Sequence, residues 1–222
     1  MEQQSPTDKP TASSEQQISG IIEALRSLYP IARYELDFTT PFELLIATIL
    51  AAQCTDERVN AVTKQLFVKY RSAADYISVG QEELEQDIKP TGFYRNKART
   101  LRATCQYLLD NHDGDVPQTM AEMVKIPGVG RKTANVVQVN ALGRVEGFIV
   151  DTHVGRLARR FGWTQHEEAS KAEQDLMRLI PREEWSSLPH RIIYHGRAVC
   201  HARKPLCQEC SLSDLCPSAA LT

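Results

Sequence analysis

Apolar residues recur every three or four positions through most of the chain. The spacing of Ile18, Ile21, Ile22, Leu25 and Leu28 predicts a first helix that ends before Pro30. "TPFE" then sets Thr40 as N-cap, Pro41 at the first helical position and Glu43 three residues after the cap, a capping box ahead of the apolar run "FELLIATILAA". That helix is expected to be central and buried. After the loop "QCTDE", helices are predicted over about 56–70, 73–78 and 81–88, and Pro90 and Gly92 then break the chain. Ala98, Leu101, Cys105 and Leu108 mark the inner face of the next helix, which ends at "DNHDG".

Further helices are predicted near 118–125, over 131–142, from "EGFIVDTH" through Arg160, over 167–179 and over 182–199, the last interrupted or restarted at Pro189. No alternating strand pattern of useful length appears. The fold class is all-α, and many short helices point to an irregular compact bundle. Residues 1–17, rich in Ser, Thr, Gln and Pro and lacking the basic and apolar regions of a secretory signal, are expected to form a disordered tail.

Composition changes this picture little. The chain has 222 residues, and its 42% of hydrophobic residues suffice for a sizeable core. The run 42–52 includes Glu43 and falls short of the ~20 residues needed to cross a bilayer, so a soluble, cytoplasmic protein is expected, without a membrane. A formal net charge of −2 gives no overall pull toward a polyanion. The distribution is more informative. Acid-free segments carry Lys89, Arg95, Lys97, Arg99 and Arg102; Lys125, Arg131, Lys132 and Arg144; Arg156, Arg159 and Arg160; and Arg191, Arg197, Arg203 and Lys204. Their convergence on one polyanion-binding face is the expectation, against the ordinary alternative of four solvated helix surfaces.

In "KIPGVGRKTANVV", Gly128 and Gly130 are expected to permit positive φ and to leave no side chain between the backbone and a ligand. The amides and positive dipole end of the following helix, with Arg131 beside them, suit phosphate. Lys132 is a candidate nucleophile if the helix end, nearby cations and partial burial favour its free amine. Asp151 reads first as an N-cap, and a carboxylate there can also take a proton from an amine.

Six cysteines are present, and four of them, Cys200, Cys207, Cys210 and Cys216, follow a C-x6-C-x2-C-x5-C spacing. That spacing favours an iron-sulfur cluster, with zinc and disulfides as alternatives, and a structural role for any metal. Arg203 and Lys204 lie inside the first loop, where a cluster would hold them toward phosphate. Cys54 and Cys105 are expected to be buried thiols.

Together, "TPFELLIATILAAQCTD", "GFYRNKA", "IPGVGRKTANVV", "VDTHV" and "HGRAVCHARKPLCQECSLSDLC" resemble the endonuclease III family of helix-hairpin-helix DNA glycosylases, over nearly the whole chain after residue 18. The resemblance implies a two-lobed fold, with a six-helix lobe at 34–145 carrying the hairpin and a second lobe from 18–33 and 146–222 holding a [4Fe-4S] cluster. It implies that DNA lies across the cleft and that the protein is a bacterial-type, nucleoid-associated monomer. By the same resemblance Lys132 matches the nucleophile, Asp151 the catalytic aspartate and Gln53 the glutamine that fills the gap left by an extruded nucleotide. His153 looks like a backbone or site contact. Phe93 stands where family members often have Leu, near the base opposite the lesion. The implied substrates are double-stranded DNA with oxidised pyrimidines such as thymine glycol, and abasic sites. They would be processed through a Schiff base and β-elimination. A non-catalytic, redox-sensing DNA-binding module is the competing expectation.

Overall fold

A computed structural model describes residues 12–219. Among them are eleven α-helices, several 3-10 turns and no strand. One compact unit holds the described residues up to Arg33 together with those from Val150 on, and a second holds Tyr34–Ile149.

The first helix, α1 (Ala12–Leu28), buries Ile18, Ile21, Ile22 and Leu25 as its spacing requires. It begins at Ala12, inside the segment expected to be a disordered tail; residues 1–11 lie outside the described part. The apolar signal starts only at Ile18, but the preceding Glu15, Gln16 and Gln17 are good helix formers. Gln17 Nε2 also donates to the Leu215 carbonyl at 2.7 Å.

The Tyr34–Ile149 unit is built from α2 (Pro41–Leu50), α3 (Asp56–Lys69), α4 (Ala73–Ser78), α5 (Gln81–Ile88), α6 (Tyr94–His112), α7 (Met120–Met123) and α8 (Arg131–Ala141). The resemblance implied six helices; the four-residue α7 makes the difference. α2 is central, with Leu44, Leu45, Ile46, Ala47 and Leu50 all fully buried, and it packs on α3, α6 and α8. Thr40 caps α2 by accepting from the Glu43 amide at 3.1 Å, while the Glu43 carboxylate reaches one residue further back than a capping box requires, to the Thr39 amide at 2.6 Å. α6 packs on α2, α4 and α5 through Ala98, Leu101, Cys105 and Leu108.

Two α6 cations expected on a polyanion-binding face are turned inward. Lys97 is only 5% exposed. The Arg102 guanidinium donates to the carbonyls of Tyr76 at 3.1 Å and Val79 beyond it, around the end of α4. The C-terminal carbonyls of a short helix have no partner within it, and these side chains supply the missing donors. Lys89, Arg95 and Arg99 remain exposed.

In the other unit, α9 (Thr152–Arg160) packs between α10 (Ala169–Leu179) and α11 (Leu188–Ala198), and α11 also packs on α1. Pro189 lies in the first turn of α11, where its missing N–H costs nothing, so the stretch from 182 restarts there after a 3-10 turn at Arg182–Glu184. The core of this unit includes Val154, Leu157, Phe161, Leu176, Leu188, Ile192 and Leu212.

Candidate nucleic-acid site and metal centre

Met120, Met123, Ile126 and Val129 pin α7 and the following turn into the core, and Ala134, Val136 and Val137 do the same for α8. Between these anchors the turn alternates: Ile126 and Val129 are buried while Pro127, Gly128 and Gly130 face outward. Thr104 Oγ1 donates to the Pro127 carbonyl at 2.7 Å and ties the turn to α6. Gly128 has φ +82°, so the left-handed conformation expected of it is present. Gly130 does not share it. With φ −87° and ψ 172° it is the extended N-cap of α8, a conformation open to any residue. What glycine contributes there is empty space, since an added Cβ would meet nothing within 4 Å. It also has no side chain with which to cap α8, whose first turn holds no acid. The positive end of α8 therefore opens outward beside Arg131 and Lys132, as an anion site requires.

Both Arg131 and Lys132 are exposed. The partial burial expected to assist Lys132 is therefore absent, because α8 turns its buried face away at Ala134, Asn135, Val136 and Val137.

Gln53 and Phe93 are also exposed, each on a short connection and each with left-handed backbone, at φ 54° and 48°. Phe93 is 63% exposed, an unusual display for a phenyl ring. Cys54, next to Gln53, is half-buried rather than buried, whereas Cys105 is fully buried. Burial pushes the Lys97 amine below its ordinary pKa, and nearby Cys54 opposes that shift.

Asp151 is the N-cap of α9, accepting from the Val154 amide at 2.8 Å. Its negative charge acts on two imidazoles, His153 and His190. Burial lowers the pKa of both, for His190 to about 4, and Asp151 opposes the shift in each case. His190 was not singled out from sequence, because a lone histidine in "LPHRII" carries no pattern; its place beside Asp151 is purely tertiary. The ring of His153 lies against Arg156, whose Nη2 is 3.2 Å from its Nδ1. A Cβ added at Gly196 would come within 3.1 Å of that same ring nitrogen. His153 is thus wedged between α9 and α11.

Cys200, Cys207, Cys210 and Cys216 line one cavity of about 210 Å³, together with Phe161, His195, Leu206 and Leu212. No disulfide joins them. Burial raises the thiol pKa of Cys210 and Cys216, a cost that a bound cationic centre would offset. Four thiols lining one cavity match the all-cysteine donor set of an iron-sulfur cluster.

Arginines secure this loop. Arg160 donates to Cys200 Sγ at 2.9 Å, to the His201 carbonyl at 2.8 Å and to the Ala202 carbonyl at 3.0 Å. Arg156 donates to the carbonyls of Gly196 and Cys200. Both were expected on a polyanion-binding face and instead hold the cysteine loop. Arg203 and Lys204 are exposed on that loop.

Residues 46–182 match the family model of the HhH-GPD superfamily of base excision DNA repair proteins, and residues 200–216 match the iron-sulfur binding domain of endonuclease III. Endonuclease III of Synechocystis is 51% identical over 94% of this chain and 95% of its own length; that of Bacillus subtilis is 46% identical over 90% and 91%. The solved structure of a non-covalent endonuclease III–DNA complex aligns with TM-score 0.88 and 48% identity, over 93% of this chain and 97% of that one. A trapped endonuclease III–DNA covalent intermediate aligns equally well. A thermostable thymine-DNA glycosylase, 22% identical, shares the fold with TM-score 0.85 over 95% of this chain and all of that one.

Proposed function

Because the chain belongs to the endonuclease III family of base excision repair proteins, we propose that its chemistry is directed at oxidised pyrimidines and abasic sites in double-stranded DNA, with Lys132 as the nucleophile. The protein is a DNA glycosylase and abasic-site lyase, binds DNA and carries an iron-sulfur cluster at residues 200–216. In our reading that cluster is [4Fe-4S] and the active form is a monomer working on nucleoid DNA in the cytoplasm.

The observation that carries the assignment of Lys132 is its place: exposed, in the acid-free first turn of α8, after a glycine turn that leaves the helix end open to phosphate. A target base must leave the stack before an amine can reach its sugar. The Lys132 amine then attacks C1′, the bond from C1′ to the base breaks with its electron pair going to the base, and the base takes a proton from water as it departs. Asp151 takes the proton released by the amine and balances positive charge on the sugar. Breaking of the C1′–O4′ bond, with a proton passing to O4′, leaves an imine on Lys132 that acidifies C2′; loss of a proton there expels the 3′ phosphate, and water releases the lysine. Gln53 and Phe93 occupy the space and flank the bases left behind, while Gly128, Gly130 and Arg131 receive the phosphate backbone. When bound, the cluster cross-links its four cysteines, and that holds Arg203 and Lys204 for phosphate contacts.

The test is single-turnover cleavage of duplexes containing one thymine glycol or none, with EDTA present. Release of the damaged base with strand scission 3′ of the lesion supports the reading. Scission that requires a divalent cation, or that ignores the lesion, refutes it.

A further inference from the structure

Gln53, Phe93 and Asp113 are the non-glycine residues with positive φ among the described residues. Asp113 is the C-cap of α6, where a left-handed residue is ordinary. Gln53 and Phe93 lack that explanation. Phe93 is in fact the N-cap of α6, a position at which extended backbone is the rule, and a bulky residue at φ 48° is an outlier. Left-handed backbone is unfavourable for such residues and persists only where surrounding contacts impose it.

Lys97 is bonded to the backbone that leads into each of them. Its ammonium donates to the Leu50 carbonyl at 2.8 Å and to the Thr91 carbonyl at 2.7 Å. Leu50 is the last residue of α2, and Gln53 follows it by three residues; Thr91 ends the 3-10 turn Lys89–Thr91, and Phe93 follows it by two. The backbone amide of Lys97 also donates to the Phe93 carbonyl, at 3.0 Å, beside that of Asn96. One buried cation therefore joins the roots of two strained loops that are distant in sequence, and each loop displays an exposed side chain. A cation is apt for the task, because it favours the negative C-terminal end of α2 while donating more than one hydrogen bond.

We propose that Lys97 is a positioning residue for DNA distortion: it fixes the two loops relative to one another, so that Gln53 and Phe93 meet the base stack as one preformed wedge. The wedge needs no ordering when it enters the duplex, and the strain in both loops is held in the free protein. Apolar wedges that unstack a duplex are a general device of DNA-distorting proteins, and Phe93 has the required exposure. This inference rests on the glycosylase and lyase reading above. Lys97 touches no reacting atom in it.

An abasic site in single-stranded DNA presents the same sugar to Lys132 with no stack to invade, so the two substrates separate positioning from chemistry. In Lys97→Met, lyase turnover on the duplex abasic site is expected to fall by on the order of a hundredfold, the scale of a misplaced contact group. Turnover on the single strand should match wild type. The fluorescence rise of 2-aminopurine opposite the abasic site, which reports unstacking, should be lost with the duplex activity. Gln53→Ala and Phe93→Ala should each lower duplex turnover in the wild-type background and add little to Lys97→Met.

Equal losses on both substrates, or unchanged duplex turnover with normal unstacking, would overturn the proposal. Lys97→Gln, which keeps a polar donor, takes the place of the methionine variant should that variant not fold; failure of both to fold would assign Lys97 to stability and equally overturn it. If wild type cleaves neither abasic substrate, the lyase reading itself fails, an outcome distinct from parallel behaviour of wild type and variant.

Discussion

Gly128 and Thr100 are packed so closely that a Cβ at position 128 would stand 2.2 Å from Thr100 Cγ2. The hairpin turn is thereby pressed onto α6, and the Thr104 hydroxyl on the Pro127 carbonyl fixes its register. Gly128→Ala must overcome both this clash and positive φ, and should lose ~3 kcal/mol of stability in chemical denaturation. Gly130→Ala meets open space and should lose no more than ~1 kcal/mol, yet weaken DNA binding by placing a methyl group in front of the helix end. Equal destabilisation by the two alanines would contradict the roles given to these glycines.

Asp151 caps α9, and two substitutions separate that cap from the acid-base role proposed for it. Asparagine caps as well as aspartate, so Asp151→Asn should keep its melting temperature while its glycosylase rate falls roughly 10²–10⁴-fold. Asp151→Ala should lose the rate and about 1 kcal/mol of stability as well. Should the asparagine variant retain wild-type turnover, the carboxylate is a helix cap alone.

His190 makes the stability depend on pH. Its folded pKa, about 4, lies below the ordinary histidine value of 6.5 because burial disfavours the charged ring. The neutral form is therefore the one folding selects. The contribution is fully present above about pH 6.5 and is lost as pH falls toward 4, to a total of ~3 kcal/mol. Denaturation curves between pH 7 and 4 should show a steeper loss for wild type than for His190→Asn. Parallel curves would mean that His190 does not gate stability in this window.

Cluster and DNA affinity should be lost together if the cysteine loop presents Arg203 and Lys204 to phosphate. Cys207→Ser is expected to lower bound iron and to flatten the dependence of log K on log salt by up to about two phosphate contacts, each worth a slope of roughly 0.9. Iron lost with an unchanged salt slope would place the phosphate contacts elsewhere.

The helices were legible because their faces repeat: Ala98, Leu101, Cys105 and Leu108 announce the buried side of α6, and all four are fully buried. The same periodicity misreads Lys97, since a cation on a helix resembles a solvated charge until the carbonyls of Leu50 and Thr91 are brought to it by tertiary structure. Arg156 and Arg160 escaped for the same reason. Local sequence also cannot distinguish Gly128 from Gly130, because only the folded structure gives one of them a positive φ and presses it against Thr100. The strain at Gln53 and Phe93 has no sequence signature, as neither Gln nor Phe favours the left-handed region. The cysteine spacing, by contrast, brought its four thiols to one cavity because they are separated by short loops in a single segment.

The proposed chemistry attaches the Lys132 amine covalently to the damaged sugar. The most direct measurement is borohydride trapping on duplex DNA containing one thymine glycol, with EDTA present, comparing wild type with Lys132→Ala. A wild-type protein–DNA adduct whose linkage maps to Lys132, absent in a variant that still binds the duplex, is the expected result. An adduct that persists in Lys132→Ala would move the nucleophile elsewhere, and no adduct from cluster-replete wild type would contradict the Schiff-base chemistry itself.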